Sequence, residues 1–182
     1  MERYNGGSME PLDFQFLKDR YDYELDRKDR ISAAVNFPVT MLILVTGLLG
    51  AIYPKLQFTA PRVVIPVVLL FLAAGGWGTR SLYWFICAYR GSQYTYLPLL
   101  ADLESAREEW RQFYDDAHAD GAGRDFFTHE FRQRMIEAAD SNTQTNDRRQ
   151  AFLDRGNIAL VWMFGLTAAC AALSFLSVMF SS

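Results

Sequence analysis

The sequence predicts an all-α membrane protein, in which three transmembrane helices carry cytoplasmic helical extensions that form a helical bundle. Apolar residues make up 51% of the chain and charged residues 21%, but the two classes are segregated. Residues 36–53, 63–79 and 158–180 contain no Asp, Glu, Lys or Arg. Elsewhere, apolar residues recur every three or four positions. Uncharged blocks of this length separated by charged, helix-periodic segments are typical of a chain that crosses lipid several times.

Residues 1–35 are predicted to form a cytoplasmic amphipathic helix that continues into the first span. From residue 12 to residue 35, one face is formed by Phe14, Leu17, Tyr21, Leu25, Lys28, Ile31 and Val35. This spacing of three and four is the helical period. The basic residues Arg27, Lys28 and Arg30 are expected at the membrane interface, with a partner-docking face as the alternative.

Residues 36–89 are predicted to form a transmembrane hairpin. Its first span is 18 residues long, from Asn36 to Tyr53, which as a helix rises about 27 Å. Arg80 is expected to interrupt the second span and to extend toward the interface. The alternative is that the second or third span is an interfacial or re-entrant helix, and it fits the shorter second span better. The third span, residues 158–180, lies in the C-terminal segment 158–182.

The distribution of basic residues predicts the orientation of the spans. The loop between the first two spans has only two basic residues, Lys55 and Arg62. Residues 1–35 have six basic residues, and residues 90–155 have nine, all of them Arg. Basic residues favour the cytoplasmic side. We therefore expect a multi-pass membrane protein, with its N-terminus in the cytoplasm and its C-terminus on the opposite, periplasmic or extracellular side.

Residues 90–157 are predicted to form the cytoplasmic helical region. A first helix begins after Pro98, and its heptad-like stripe consists of Leu99, Leu103, Ala106, Trp110, Phe113 and Ala117. Residues 120–124 are predicted to be the turn to a second helix. Because the stripe is too short to define a coiled coil, it requires another surface to pack on, either within the chain or on a partner.

The second cytoplasmic helix is predicted to begin near Asp125. If it is continuous, one face consists of Phe131, Met135, Ala138, Asn142, Asn146, Arg149 and Leu153. Residues 141–147 could equally form a loop, because Ser, Asn, Thr and Asp are weak helix formers. Two interpretations of Asn142, Asn146 and Arg149 are open: a hydrogen-bonded network inside the bundle, or a gating or partner-docking site together with Trp110, Phe113 and Phe131.

Small residues at four-residue spacing in the spans predict close helix packing and a homo-oligomer. The residues are Thr46, Gly50, Ala74, Gly75, Gly78, Gly165 and Ala169. Three spans in one chain offer each helix few partners, so contacts between copies are the natural way to cover these faces.

The residue patterns that carry catalysis or cofactor binding are absent. The two histidines are eleven positions apart, and the sequence has no metal-binding, nucleophile-elbow or phosphate-loop motif. We expect no enzyme activity, no cofactor and no metal. Nucleic-acid binding is also not expected, because the nine Arg of residues 90–155 are outnumbered by thirteen Asp and Glu.

Three stretches carry a family resemblance: Tyr21–Pro38, Tyr94–Pro98 and Ala138–Arg149. Together they resemble small multi-span effector proteins of bacterial anti-phage systems, of the retron or cyclic-oligonucleotide type. The resemblance implies a protein that stays silent until infection is sensed and then damages the inner membrane, with a soluble sensor from the same operon as a possible partner. A membrane anchor or scaffold for a soluble partner is the alternative, and a transporter accessory subunit is a third.

Overall fold

The computed structural model describes residues 13–52, 61–90, 93–98, 100–116 and 122–181. In this part of the chain all regular structure is helical. The five helices are α1 (Phe14–Ala34), α2 (Asn36–Ile52), α3 (Pro61–Tyr89), α4 (Leu100–Asp116) and α5 (Ala122–Ser181). The all-α prediction is therefore confirmed for the described residues. The predicted loop at Lys55 and the start of the predicted 120–124 turn lie outside them.

Helices α1 and α2 are separated by Val35 alone. The amide of Val39 donates a hydrogen bond to the Val35 carbonyl at 3.2 Å, which links the start of α2 to the residue before it. Pro38 is the third residue of α2, where a missing amide is best tolerated. On the predicted stripe, Leu17, Tyr21, Ile31 and Val35 are buried.

Helix α3 continues through Arg80 to Tyr89, so Arg80 divides the uncharged segment without ending the helix. Arginine is a good helix former, and its charge affects how deep a residue sits in lipid more than whether the backbone stays helical. The Arg80 guanidinium lies 5.5 Å from the centre of the Trp77 ring.

Helix α5 is 60 residues long and includes residues 141–147, which answers the question left open by the sequence in favour of a helix. The predicted boundary at residue 157 also falls inside this helix. Met135, Ala138, Asn142, Asn146, Arg149 and Leu153 are all buried. Burial of one continuous face outweighs the weak helix propensity of the Ser, Asn and Thr residues, because packing supplies most helix stability in proteins.

Three helical segments are long and apolar enough to cross a membrane: Phe14–Ala51, Val64–Tyr89 and Arg124–Leu176. Only 28%, 22% and 22% of their most apolar windows are buried within the chain. Most of this apolar surface therefore faces outward. The number of candidate spans matches the prediction, whereas their insertion and orientation stay predictions.

The chain divides into two compact units. Unit 1 comprises residues 1–27 and 93–145, and unit 2 comprises residues 28–92 and 146–182. In unit 1, Tyr21 packs with Ala138 and Ala139, and Leu25 and Leu97 contact this cluster.

Unit 2 has two apolar clusters where α2, α3 and the C-terminal part of α5 meet. The first contains Leu42, Val45, Leu49, Ala74 and Met163, and the second contains Val35, Phe85, Ala88 and Leu153. The N-terminal residues of α2 thus pack near the C-terminal residues of α3, so the two helices are antiparallel. If these helices lie in lipid, van der Waals packing rather than water exclusion holds them together.

Candidate functional site

In unit 1, an aromatic surface lies between α4 and α5. Trp110 and Phe131 line one groove of about 150 Å³, and Phe131 also lines a neighbouring groove of about 290 Å³ with Leu103 and Phe127. The rings of Trp110 and Phe126 are 4.6 Å apart, and those of Phe127 and Phe131 stack at 6.1 Å. The structure therefore brings together two of the aromatic docking candidates, Trp110 and Phe131.

The third aromatic docking candidate, Phe113, lies at the edge of this surface. Its ring meets the Trp110 ring edge-on at 6.2 Å, and 63% of its surface is exposed. An apolar ring this exposed on a charge-rich helix is available for contact with another molecule.

The segment 93–98, which has no regular secondary structure, is held in unit 1 by two hydrogen bonds with Asn142. The Asn142 side chain accepts a hydrogen bond from the Thr95 amide at 2.9 Å and donates one to the Thr95 carbonyl at 3.0 Å. The Leu97 amide donates to the Tyr21 hydroxyl at 3.2 Å. Because Asn142 is fully buried, it acts as a structural clamp and presents no surface to a partner in this conformation.

A buried carboxylate also lies in unit 1. The Glu24 side chain is 0% exposed, and the Arg20 and Arg27 guanidinium groups lie 3.0 Å and 3.5 Å from its two oxygens. Arg27 is thus part of an ion-pair network, in addition to its predicted interface role. This network stabilises a charge whose isolated burial would be costly.

In unit 2, Arg149 links three helices. Its Nε donates to the Ala88 carbonyl at 2.8 Å, and its Nη2 donates to the Ser32 hydroxyl at 3.0 Å. Ser32 in turn donates to the Lys28 carbonyl at 2.9 Å. Ala88 lies in the last turn of α3, where carbonyls lack helical partners and the helix dipole attracts a positive charge. Arg149 is 3% exposed, so it neutralises this helix end from within the unit.

Asn146 lies one turn before Arg149 on α5 and is 0% exposed. For Asn142 and Arg149, the interpretation as a hydrogen-bonded network inside the fold agrees with the observed bonds. Their predicted role in gating stays a prediction. Direct contact of a partner with these residues would require the packing around them to open.

The small residues of unit 2 fall into two groups. Ala74 is fully buried, and a Cβ added to Gly78 would lie 3.0 Å from the Met163 sulfur, so both serve packing within the chain. By contrast, Thr46, Gly50, Gly75, Gly165 and Ala169 are exposed. A Cβ at any of these three glycines would meet no atom within 4 Å. Within the part of the chain that the structure describes, no contact requires the small size of these three glycines.

Among the glycines in the described part of unit 2, Gly156 has the least room for a side chain, and it is not one of the predicted packing residues. A Cβ at Gly156 would lie 2.5 Å from Cε1 of Phe85. One turn away on α3, the Ser81 hydroxyl donates to the Gly156 carbonyl at 2.9 Å. An isolated glycine within a helical pattern often has a packing reason, and that signal could have identified it.

Nothing matches this chain among protein family models, curated proteins or solved structures. Among the described residues, no group of three or more His, Cys, Asp and Glu side chains is arranged to hold a metal ion.

Besides Arg27, the charged side chains predicted at the interface are Lys28, Arg30 and Arg80. Arg30 and Arg80 are exposed, and Lys28 is half-buried. Arg80 is paired with Trp77, whose ring stacks on that of Trp162 at 6.1 Å. Tryptophan and arginine side chains are frequent where a membrane meets water.

One carboxyl group on α4 has a perturbed acidity. A hydrogen bond of 2.7 Å from Arg111, supported by Gln112, holds the pKa of Glu108 below its usual value of 4.5. Both side chains are exposed, so this pair is a feature of the helix surface.

Proposed function

We propose that this chain is a non-enzymatic protein of the bacterial inner membrane that self-associates in the bilayer and permeabilises it during anti-phage defence. One observation carries the membrane part of the proposal. The candidate spans bury only 22–28% of their most apolar windows within the chain. Outward apolar surface of this extent requires lipid or other apolar helices as its surroundings.

Self-association is supported by a groove in unit 2 between α2 and α3. The groove has a volume of about 470 Å³, and its lining includes Thr46, Gly50, Gly75 and Gly78. Gly50 and Gly75 have open space where a side chain would be. Small residues on an outward face let the backbone of another helix approach closely, so we propose that a second copy packs there.

The effector role is supported by the resemblance of Tyr21–Pro38, Tyr94–Pro98 and Ala138–Arg149 to anti-phage membrane effectors. Two of these stretches contribute the hydrogen bonds between Thr95 and Asn142 in unit 1. We propose that such buried polar contacts hold the silent state, and that a soluble sensor protein encoded in the same operon provides the trigger.

Two neighbouring glycines provide a matched test of self-association. Gly75 lines the groove and Gly76 does not, yet both are exposed, and a Cβ at either would meet no atom within 4 Å. We expect Gly75→Leu to abolish the oligomer and Gly76→Leu to retain it, measured by light scattering of the detergent-solubilised protein. Gly78→Leu is a poorer probe, because it would also displace Met163 inside the chain.

Permeabilisation is tested with the same variants in cells. Induced expression of the wild-type chain should collapse the membrane potential and admit an impermeant dye, and Gly75→Leu should do neither. Cells that stay polarised with the wild-type chain, with and without phage infection, would refute the effector proposal. Equal oligomerisation of both leucine variants would refute the proposed interface.

A second function is favoured by the aromatic surface of unit 1. Phe113 is exposed, and Trp110 and Phe131 beside it are half-buried. Such a partly open aromatic surface suits a scaffold that recruits a soluble partner to the membrane. This alternative predicts a stable complex with the product of a neighbouring gene, lost in Phe113→Ser, and no leakage from liposomes. Leakage from liposomes caused by the purified chain alone would support the effector proposal over the scaffold proposal.

A further inference from the structure

A second groove between α2 and α3 lies at one end of the two helices, and we term it the end groove. Its volume is about 630 Å³. Because α2 begins at Asn36 and α3 ends at Tyr89, the antiparallel packing of these helices places both residues at the same end. Asn36, Tyr89 and Arg90 line this end of the groove.

The opposite part of the end groove is mainly apolar. Val39, Leu82 and Ile86 line it, and each lies three or more residues further from the helix ends than the polar group. Thr40 also lines it, but its hydroxyl donates to the Asn36 carbonyl at 3.0 Å within α2. Leu82 is 44% exposed and Ile86 is 48% exposed. The groove therefore changes from polar to apolar along its length, which is the polarity profile of a lipid with its headgroup at the water boundary.

The charge of the end groove is positive. The Arg90 side chain is exposed, and within the described part of the chain it forms no ion pair. In the predicted orientation, Arg90 lies at the cytoplasmic leaflet, where anionic lipids concentrate and basic side chains attract them. Arginine also matches phosphate geometry through paired donors.

We propose that the end groove binds one anionic phospholipid, with the phosphate at Arg90 and Asn36 and an acyl chain along Val39, Leu82 and Ile86. This proposal rests on membrane insertion, which is part of the proposed function. A free phosphate would not use the apolar part of the groove, and a helix from a second copy would not require Arg90. The observations favour a lipid because polar and apolar residues are separated along a single groove.

The test is native mass spectrometry of the full chain, released from detergent with added phosphatidylglycerol or phosphatidylcholine of identical acyl chains. We expect the wild-type chain to retain phosphatidylglycerol preferentially. Arg90→Gln should weaken this binding about fivefold, the equivalent of one surface Lys or Arg. The matched control is Arg148→Gln, which removes the same charge from an exposed residue of unit 2 outside the groove and should leave binding unchanged.

A second variant tests the apolar part. Ile86→Gln keeps the charge and should weaken binding of both lipids, since it makes the acyl-chain path polar. Equal retention of the two lipids by the wild-type chain would overturn the proposal, as would equal losses in Arg90→Gln and Arg148→Gln. Displacement of the lipid by millimolar glycerol phosphate would instead assign the site to a free phosphate and also overturn it.

Alkaline carbonate extraction of cell membranes tests membrane insertion separately, before lipid binding is measured. A chain that is released into the supernatant contradicts the proposed function. A chain that stays in the membrane but shows no lipid preference contradicts only the end groove proposal.

Discussion

The Nε of Arg149 donates a 2.8 Å hydrogen bond to the carbonyl oxygen of Ala88 in the last turn of α3. This bond joins a buried positive charge on α5 to the negative end of another helix of unit 2. The same guanidinium reaches Ser32 on α1. One side chain therefore fixes three helices to each other, which makes it a sensitive point for substitution.

Arg149→Ala is expected to lower the stability of the chain by about 2–4 kcal/mol, because it leaves buried acceptors without their charged donor. Thermal unfolding in detergent would measure this loss. Arg148→Ala removes an exposed charge from the residue that precedes Arg149 and should change stability by less than about 0.5 kcal/mol. We expect Arg149→Ala to reach the membrane but to alter activity. Wild-type activity with normal insertion would remove the proposed gating role.

Gly156→Ala is expected to destabilise unit 2 by about 1–3 kcal/mol, because the new methyl group would lie 2.5 Å from the Phe85 ring. Gly165→Ala is the control, since its methyl group would meet no atom within 4 Å, and it should be neutral or slightly stabilising. The double variant Gly156→Ala with Phe85→Leu should recover part of the loss in a double-mutant cycle. Strictly additive effects would show that the two residues are not in contact.

Asn142→Leu is expected to release the segment 93–98 from unit 1. It removes both hydrogen bonds to the Thr95 backbone and should cost about 1–3 kcal/mol. Amide hydrogen exchange at Thr95 is the direct measurement, and it should accelerate. Gln144→Leu, at an exposed position two residues further along α5, should leave that exchange rate unchanged. Unaltered protection of Thr95 in Asn142→Leu would mean that other contacts hold the segment.

Arg111→Gln is expected to raise the pKa of Glu108 toward its usual value of 4.5, because the Arg111 hydrogen bond is the main cause of its lowered pKa. Because the pKa of Glu108 is lower in the folded chain than in the unfolded chain, its ionised carboxylate stabilises the folded chain. This stabilisation is fully present above the unfolded-state pKa and is lost as the pH falls through the folded-state pKa. NMR titration of labelled Glu would follow the change. If the pKa of Glu108 were the same in Arg111→Gln as in the wild-type chain, the hydrogen bond from Gln112 would be the cause of its lowered value.

Periodicity in the sequence was sufficient to identify the buried face of α5. The positions from Met135 to Leu153 recur at helical spacing, and the structure buries them together, including the polar Asn142 and Arg149. Uncharged blocks likewise identified three candidate spans, because the exclusion of charge from a long segment is a local property of the chain. The helical state of residues 141–147 was not accessible in this way, since propensity and burial oppose each other there.

The sequence by itself determined that the chain is helical, where its apolar segments lie, and which residues share a helix face. Tertiary structure decided which residues lie opposite those faces: Gly78 meets Met163, whereas Gly75, three residues earlier, faces outward. It also placed Phe85 against Gly156 and Arg149 at the end of α3. The physical reason is that a helical period fixes the direction of a side chain relative to its own axis, while its neighbour depends on how separate helices pack.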